Sequence, residues 1–103
     1  MSIDTKSEAE YHAVSVAAGL SGLRIRKDYG TSSTELKVFR SYLNKLEQIK
    51  LTTRLPDFAT IQNNINTALK NIKDSIGQED KIDYTISEAE KLWGYLDMVH
   101  EDI

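Results

Sequence analysis

The chain has 103 residues, 40% of them hydrophobic and 28% charged, with one Pro, no Cys and a net charge of −3. That balance suits a single folded domain over 1–103 rather than a disordered tract, and the lack of Cys excludes a disulfide framework, thiolate metal ligands and Cys nucleophiles. Charge is segregated along the chain: −2 over residues 1–23, +6 over 24–73 and −7 over 74–103. Ends that oppose the middle suit antiparallel packing or an acidic tail on a partner, and the plain reading is a solvated surface of mixed sign.

The first predicted helix starts near Ser7, where Ser7-Glu8-Ala9-Glu10 reads as a capping box. Ala9, Ala13, Val16, Leu20 and Leu23 recur at spacings of four and three, so one stripe faces a neighbour, with Lys27 next in the series. The middle is small: Ala13, Ser15, Ala17, Ala18, Gly19, Ser21 and Gly22. Such residues admit a close neighbour, which predicts a helix packed at the centre of a bundle. Each glycine costs about 1 kcal/mol of helix propensity, so packing must offset it.

Tyr11 to Leu23 contains no Lys, Arg, Asp or Glu, yet it falls short of the roughly 20 apolar residues a membrane span needs. A net acidic stretch precedes it, the reverse of a secretory signal, so a Sec leader is rejected. Arg24, Arg26 and Lys27 then suit the negative end of the helix dipole.

Asp28 to Ser33 forms a turn, and Ser33 or Thr34 is expected to cap the second helix. Leu36, Phe39, Leu43 and Leu46 are its stripe, widened by Tyr42 and Ile49. Leu51 to Leu55 weakens the pattern, and Pro56 breaks or kinks the chain. A third helix is predicted from Pro56 to Ile76, with Phe58, Ile61, Ile65, Ala68, Leu69, Ile72 and Ile76 inward and Gly77 as its C-terminal cap. Gln78 to Asp83 is a polar link. Thr85 or Ser87 is expected to cap the last helix, whose apolar face is Ala89, Leu92, Trp93, Leu96, Val99 and Ile103. Gly94 follows the only Trp, which predicts a contact too close for a side chain. No run alternates with period two long enough for a strand. The fold class is all-α: an antiparallel helical hairpin or a small three- to four-helix bundle.

Chemistry is sparse. His12 and His100 lie near Glu8 and Asp97, but a zinc site wants three or four protein ligands, so each reads as a partly exposed, hydrogen-bonded histidine. No glycine-rich phosphate loop or nucleophile elbow is present. Arg24, Arg26, Lys27, Lys37, Arg40, Lys45, Lys50 and Arg54 could form a basic stripe, but the chain's pI near 5.3 argues against nucleic acid. These features predict no enzyme, cofactor or metal. Tyr84 and Glu88 form a Tyr-x-x-x-Glu pattern that is either a signal or a packed Tyr before a capped helix.

The small-residue helix ending at Lys27, the Tyr29-Gly30-Thr31-Ser32-Ser33 turn, the amphipathic second segment and Tyr84 to Glu88 together resemble the small Esx-like (WXG-superfamily) helical proteins of type VII secretion. The likeness is to those that accompany LXG toxins. The family's Trp-x-Gly turn is absent, Tyr29-Gly30 being a degenerate substitute, and Pro56 interrupts the second helix. The resemblance implies a non-enzymatic partner that binds a larger helical toxin for export, cytoplasmic first and then exported by a non-Sec route. Tyr84 and Glu88 would be the export-signal candidates. Leu20, Leu23, Tyr29, Phe39, Trp93 and Leu96 would be the interface candidates, toward a toxin's N-terminal helical region or in a homodimer, with no nucleic acid and no membrane insertion. The competing reading is an immunity-type four-helix bundle that neutralises a toxin by covering it, with Pro56 and Gly77 as corners and the acidic last helix as binding face.

Overall fold

A computed structural model describes residues 5–29, 33–48 and 58–98, and these contain four α-helices and no strand. They are α1 (Thr5–Arg26), α2 (Ser33–Gln48), α3 (Phe58–Ser75) and α4 (Ile82–Asp97), with a 3-10 turn at Glu79–Lys81 before α4. Of the two predicted architectures, the chain adopts the bundle. The readings that fall on Pro56, Gly30 to Ser32, Ile49, Leu51 to Leu55, Val99, His100 and Ile103 lie outside the described residues.

The predicted stripes are the buried ones with the exception of Trp93, which is half-exposed; the side chain of Phe58 lies outside what is described. Ala9, Ala13, Val16, Leu20 and Leu23 of α1 meet Leu36, Phe39, Leu43 and Leu46 of α2 in one core. Ile61, Ile65, Ala68, Leu69 and Ile72 of α3, Ile76 just beyond it, and Ile86, Ala89, Leu92 and Leu96 of α4 complete that core. Four stripes of this width can all be buried only if the helices close a ring. Principal packing runs α1 on α2, α2 on α3, α3 on α4 and α4 on α1. Arg24 near the end of α1 pairs with Asp83 near the start of α4, Arg26 at the end of α1 with Glu35 near the start of α2, and Asn71 late in α3 with Glu88 in the first half of α4, so these neighbours run antiparallel. Each helix therefore has two main neighbours. The expectation that α1 sits at the centre is corrected: its small residues do not admit a ring of partners.

The helix ends depart from their sequence signals. α1 begins at Thr5, so Ser7 lies inside its first turn rather than capping it. Ser33 and Thr34 already belong to α2. α4 begins at Ile82 with Lys81 in the cap position and no side-chain cap, so neither Thr85 nor Ser87 caps it. Thr85 is instead fully buried, its Oγ1 donating to the Lys81 carbonyl at 2.9 Å and lying 2.7 Å from Ser75 Oγ. α1 ends in a Schellman motif without glycine. Lys27 holds φ +55, its N–H reaches Arg24 O, and Asp28 N–H reaches Leu23 O.

Gly77 caps α3 as predicted, at φ +94, and its closure is long-range. Gly77 N–H donates to Tyr29 Oη at 2.6 Å, and Arg40 Nη2 donates to Ile76 O at 3.3 Å. A Cβ on Gly77 would meet the Arg40 guanidinium as well as the strained backbone. Burial raises the Tyr29 hydroxyl pKa, against the Gly77 hydrogen bond and the Arg40 charge, which lower it.

Glycines inside the helices divide into two kinds. A Cβ on Gly19 would clash with the Phe39 ring, whereas one on Gly94 would meet nothing within 4 Å. The close contact expected at Gly94 is therefore absent; it occurs at Gly19. Gly94→Ala is expected to stabilise the chain by about 1 kcal/mol, the helix-propensity difference. Gly19→Ala is expected to destabilise it by about 1 kcal/mol, overpacking outweighing the same gain. Paired urea melts check both signs.

Candidate functional site

Two features stand out once the stripes are spent on the core. One is polar and lies in the α3–α4 seam. Glu88 is buried at 5% exposure, and its Oε1 accepts from Asn71 Nδ2 at 2.6 Å and from the Tyr84 hydroxyl at 3.4 Å. Lys91 Nζ lies 3.2 Å from Oε2. Burial alone would raise the Glu88 pKa, but the hydrogen bonds from Asn71, Lys91 and Tyr84 and the Lys91 charge outweigh it, and the carboxyl stays below its ordinary value. Tyr84, half exposed, has its pKa raised by desolvation and by the Glu88 charge, so it remains a donor at neutral pH. A groove of about 440 Å³ lies beside Tyr84, against Asn71, Asp74, Ser75 and Lys81. The helix spacing thus joins Tyr84 to Glu88, but Glu88 is a satisfied buried carboxylate rather than a free surface acid.

The other feature is the outward side of α1. Ser7, Tyr11, Val14, Ala18, Ser21 and Ile25 recur at spacings of four, three, four, three and four, opposite the buried stripe. Tyr11 is 63% exposed, Ile25 75% and Val14 39%, and Ala18 is exposed between them. Neither long side of α1 is charged along its middle, so α1 shows almost no amphipathic asymmetry, unlike α2, α3 and α4. A helix apolar on both sides is normally covered on both. The signal was present in the sequence: thirteen residues without a formal charge, Tyr11 to Leu23, exceed three turns and must reach every side of a helix.

Of the six predicted interface residues, Leu20, Leu23, Tyr29, Phe39 and Leu96 are buried in the chain's own core. They belong to stripes that the ring of helices consumes, so a partner cannot touch them while the bundle is closed. Trp93 is 46% exposed, at the border of the α4 stripe rather than within it. Arg24 pairs with Asp83, and Ala9 lines a small cavity with Leu92 and Leu96, which puts Trp93 level along the bundle with Ala13 and Val14.

His12 also departs from expectation. It is buried at 6% exposure, with neither ring nitrogen hydrogen-bonded. Its ring stacks on Tyr42 at 4.9 Å and meets Tyr11 edge-on at 5.7 Å, while Glu8 Oε1 lies 3.7 Å from Nε2. Several cations of the supposed basic stripe are engaged within the chain: Arg24 with Asp83, Arg26 with Glu35 and Arg40 with the α3 terminus. Among the described residues no three His, Asp or Glu side chains are placed to hold a metal, and no helix is long and apolar enough to cross a membrane.

No known protein family, curated protein or solved structure matches the chain. Its class is that of the small all-α helical bundles.

Proposed function

We propose that this chain is a non-enzymatic helical interaction module whose working surface is the outward side of α1. The observation that carries the reading is Tyr11, Val14, Ala18 and Ile25 standing in a heptad-spaced, uncharged row on the solvent side of a closed bundle. Helix-to-helix recognition needs anchors at that spacing on one face and little else. The biological setting that best fits is an Esx-like partner that binds a larger helical toxin for type VII export, a setting drawn from the resemblance. The immunity-type reading gains from the four-helix form and from the Gly77 corner, and its binding face would be α4.

A pull-down from the native host separates the two. Wild-type protein is expected to retain a protein with a long helical N-terminal region, and Ala18→Glu to lose it. Retention by both, with loss on charge reversal of Asp83 and Glu90 in α4, would favour the immunity-type reading.

The Tyr84 and Glu88 pair has its own test. Tyr84→Ala removes an exposed ring and one long hydrogen bond, so circular dichroism is expected to be unchanged. Loss of the chain from the secreted fraction in that variant, with normal cellular levels, is the result expected of an export signal. Normal export would leave the pair a packing feature of the α3–α4 seam.

A further inference from the structure

We propose that the helix docking on the outward side of α1 is basic along one edge, and that α4 of this chain supplies the acidic row that selects it. This rests on the reading of that side as a docking surface and adds the charge of what docks there. Asp83, Glu90 and Asp97 of α4 stand seven residues apart, and seven residues are close to two helical turns, so the three fall on one line. All three are exposed. Arg24 Nη1 donates to Asp83 Oδ1 at 2.9 Å, which puts that line on the α1 flank. Because the two helices run antiparallel, Glu90 comes level with Ala17 and Ala18, and Asp97 with Glu10 and Tyr11. The acids therefore accompany the apolar row from Ile25 to Tyr11, over about 21 Å, the length of 14 helical rises.

Ser87 and Gly94 complete the line at spacings of four and three. Both are exposed, and a Cβ on Gly94 would meet nothing within 4 Å, so no large side chain stands between the acids. Lysine or arginine side chains of a docked helix can reach the carboxylates there. The only Lys or Arg of residues 74–103 are Lys81 and Lys91, and both lie toward α3. Lys91 pairs with Glu88 in the α3 seam, and Lys81 lines the groove beside Tyr84. The α2 flank of α1 is mixed in sign, with Arg26 on Glu35, Glu8 beside His12 and Lys45 beside Tyr42. The outward side of α1 is thus an apolar ridge with one edge of a single sign, and charge beside a helix pair sets partner and orientation. The same acids repel phosphate, which argues against nucleic acid and anionic lipid as occupants. An α-helix with an apolar ridge and a Lys or Arg every seventh residue beside it fits.

Two designed helical peptides, each three heptads long, test this. They share a leucine ridge at spacings of three and four and differ only in carrying Lys or Glu at every seventh position on one edge. Fluorescence anisotropy with the full chain is expected to show the Lys peptide binding about tenfold tighter than the Glu peptide, the sum of several exposed charge pairs. That ratio is expected to shrink as salt is raised. Glu90→Lys is expected to cut the ratio by about threefold, and so is Ser87→Lys, which adds a cation to the row without removing an acid. Ala18→Glu is expected to lose both peptides, with circular dichroism unchanged in all three variants. Equal binding of the two peptides, or no binding of the Lys peptide, overturns the proposal. A wild-type dimer in sedimentation that Ala18→Glu dissolves also overturns it, by giving the face to a second copy. If the pull-down partner is lost by Ala18→Glu but kept by Glu90→Lys and Ser87→Lys, the basic edge is excluded and the docking surface stands. If Ala18→Glu binds the Lys peptide as the wild type does, the acids act alone and the docking reading falls as well.

Discussion

Asp in place of Leu20 is expected to abolish the folded state, whereas Asp at Ala18, two positions earlier on the same helix, is expected to leave it intact. Leu20 has 0% exposure and sits among the largest fully buried side chains. The substitution forfeits about 1.5–3 kcal/mol of side-chain burial and puts an unpaired carboxylate into the core at a cost of several kcal/mol more. A domain of this size has roughly 5–15 kcal/mol of stability in all. Ala18 points outward, so Asp there costs only the difference in helix propensity, about 0.7 kcal/mol or less. Far-ultraviolet circular dichroism at neutral pH separates the two variants. A helical, cooperatively melting Leu20→Asp chain would show that α1 does not bury its stripe as described.

Asn71→Ala is expected to cost about 2 kcal/mol, in line with removing one partner of a buried, charged acceptor. Asn71 makes the shortest hydrogen bond to Glu88, which Lys91 and Tyr84 cannot replace from their own positions. The effect carries a pH signature. Because the Glu88 carboxyl is held below its ordinary value in the folded chain, its ionised form stabilises the fold above the ordinary carboxylate range. That contribution disappears as pH falls through the depressed value. Asn71→Ala moves the Glu88 pKa upward, so the acid loss of stability begins at higher pH. Glu88→Gln removes this part of the acid dependence altogether. Urea melts at several pH values for the two single variants and the double variant measure the coupling. Additive effects would mean that Asn71 and Glu88 do not act together.

The seam also shows why a pattern of types is not a site. Tyr84 and Glu88, four apart, must share one side of a helix, and that much followed from spacing. Whether Glu88 faces water or Asn71 depends on where α3 lies, and the numbering of α4 holds no trace of it. The same holds for Gly19 and Gly94. Both are glycines in helices, and only the position of the Phe39 ring tells a required glycine from a dispensable one. Tyr29 reads as an exposed anchor in a turn until Gly77, forty-eight residues later, supplies its hydrogen bond. Lys27 offered no sign of a left-handed cap because the usual glycine is missing there.

Helical periodicity is a local property. It needs only the 3.6-residue turn and the preference of apolar side chains for company, so the amino-acid order alone determined the helices, the inward stripe of each and the all-α class. Capping, the fate of His12, the exposure of Trp93 and the uncovered side of α1 were decided by tertiary structure. Each depends on which atoms of distant residues arrive at a given place, and a stripe records that it is buried without recording against what.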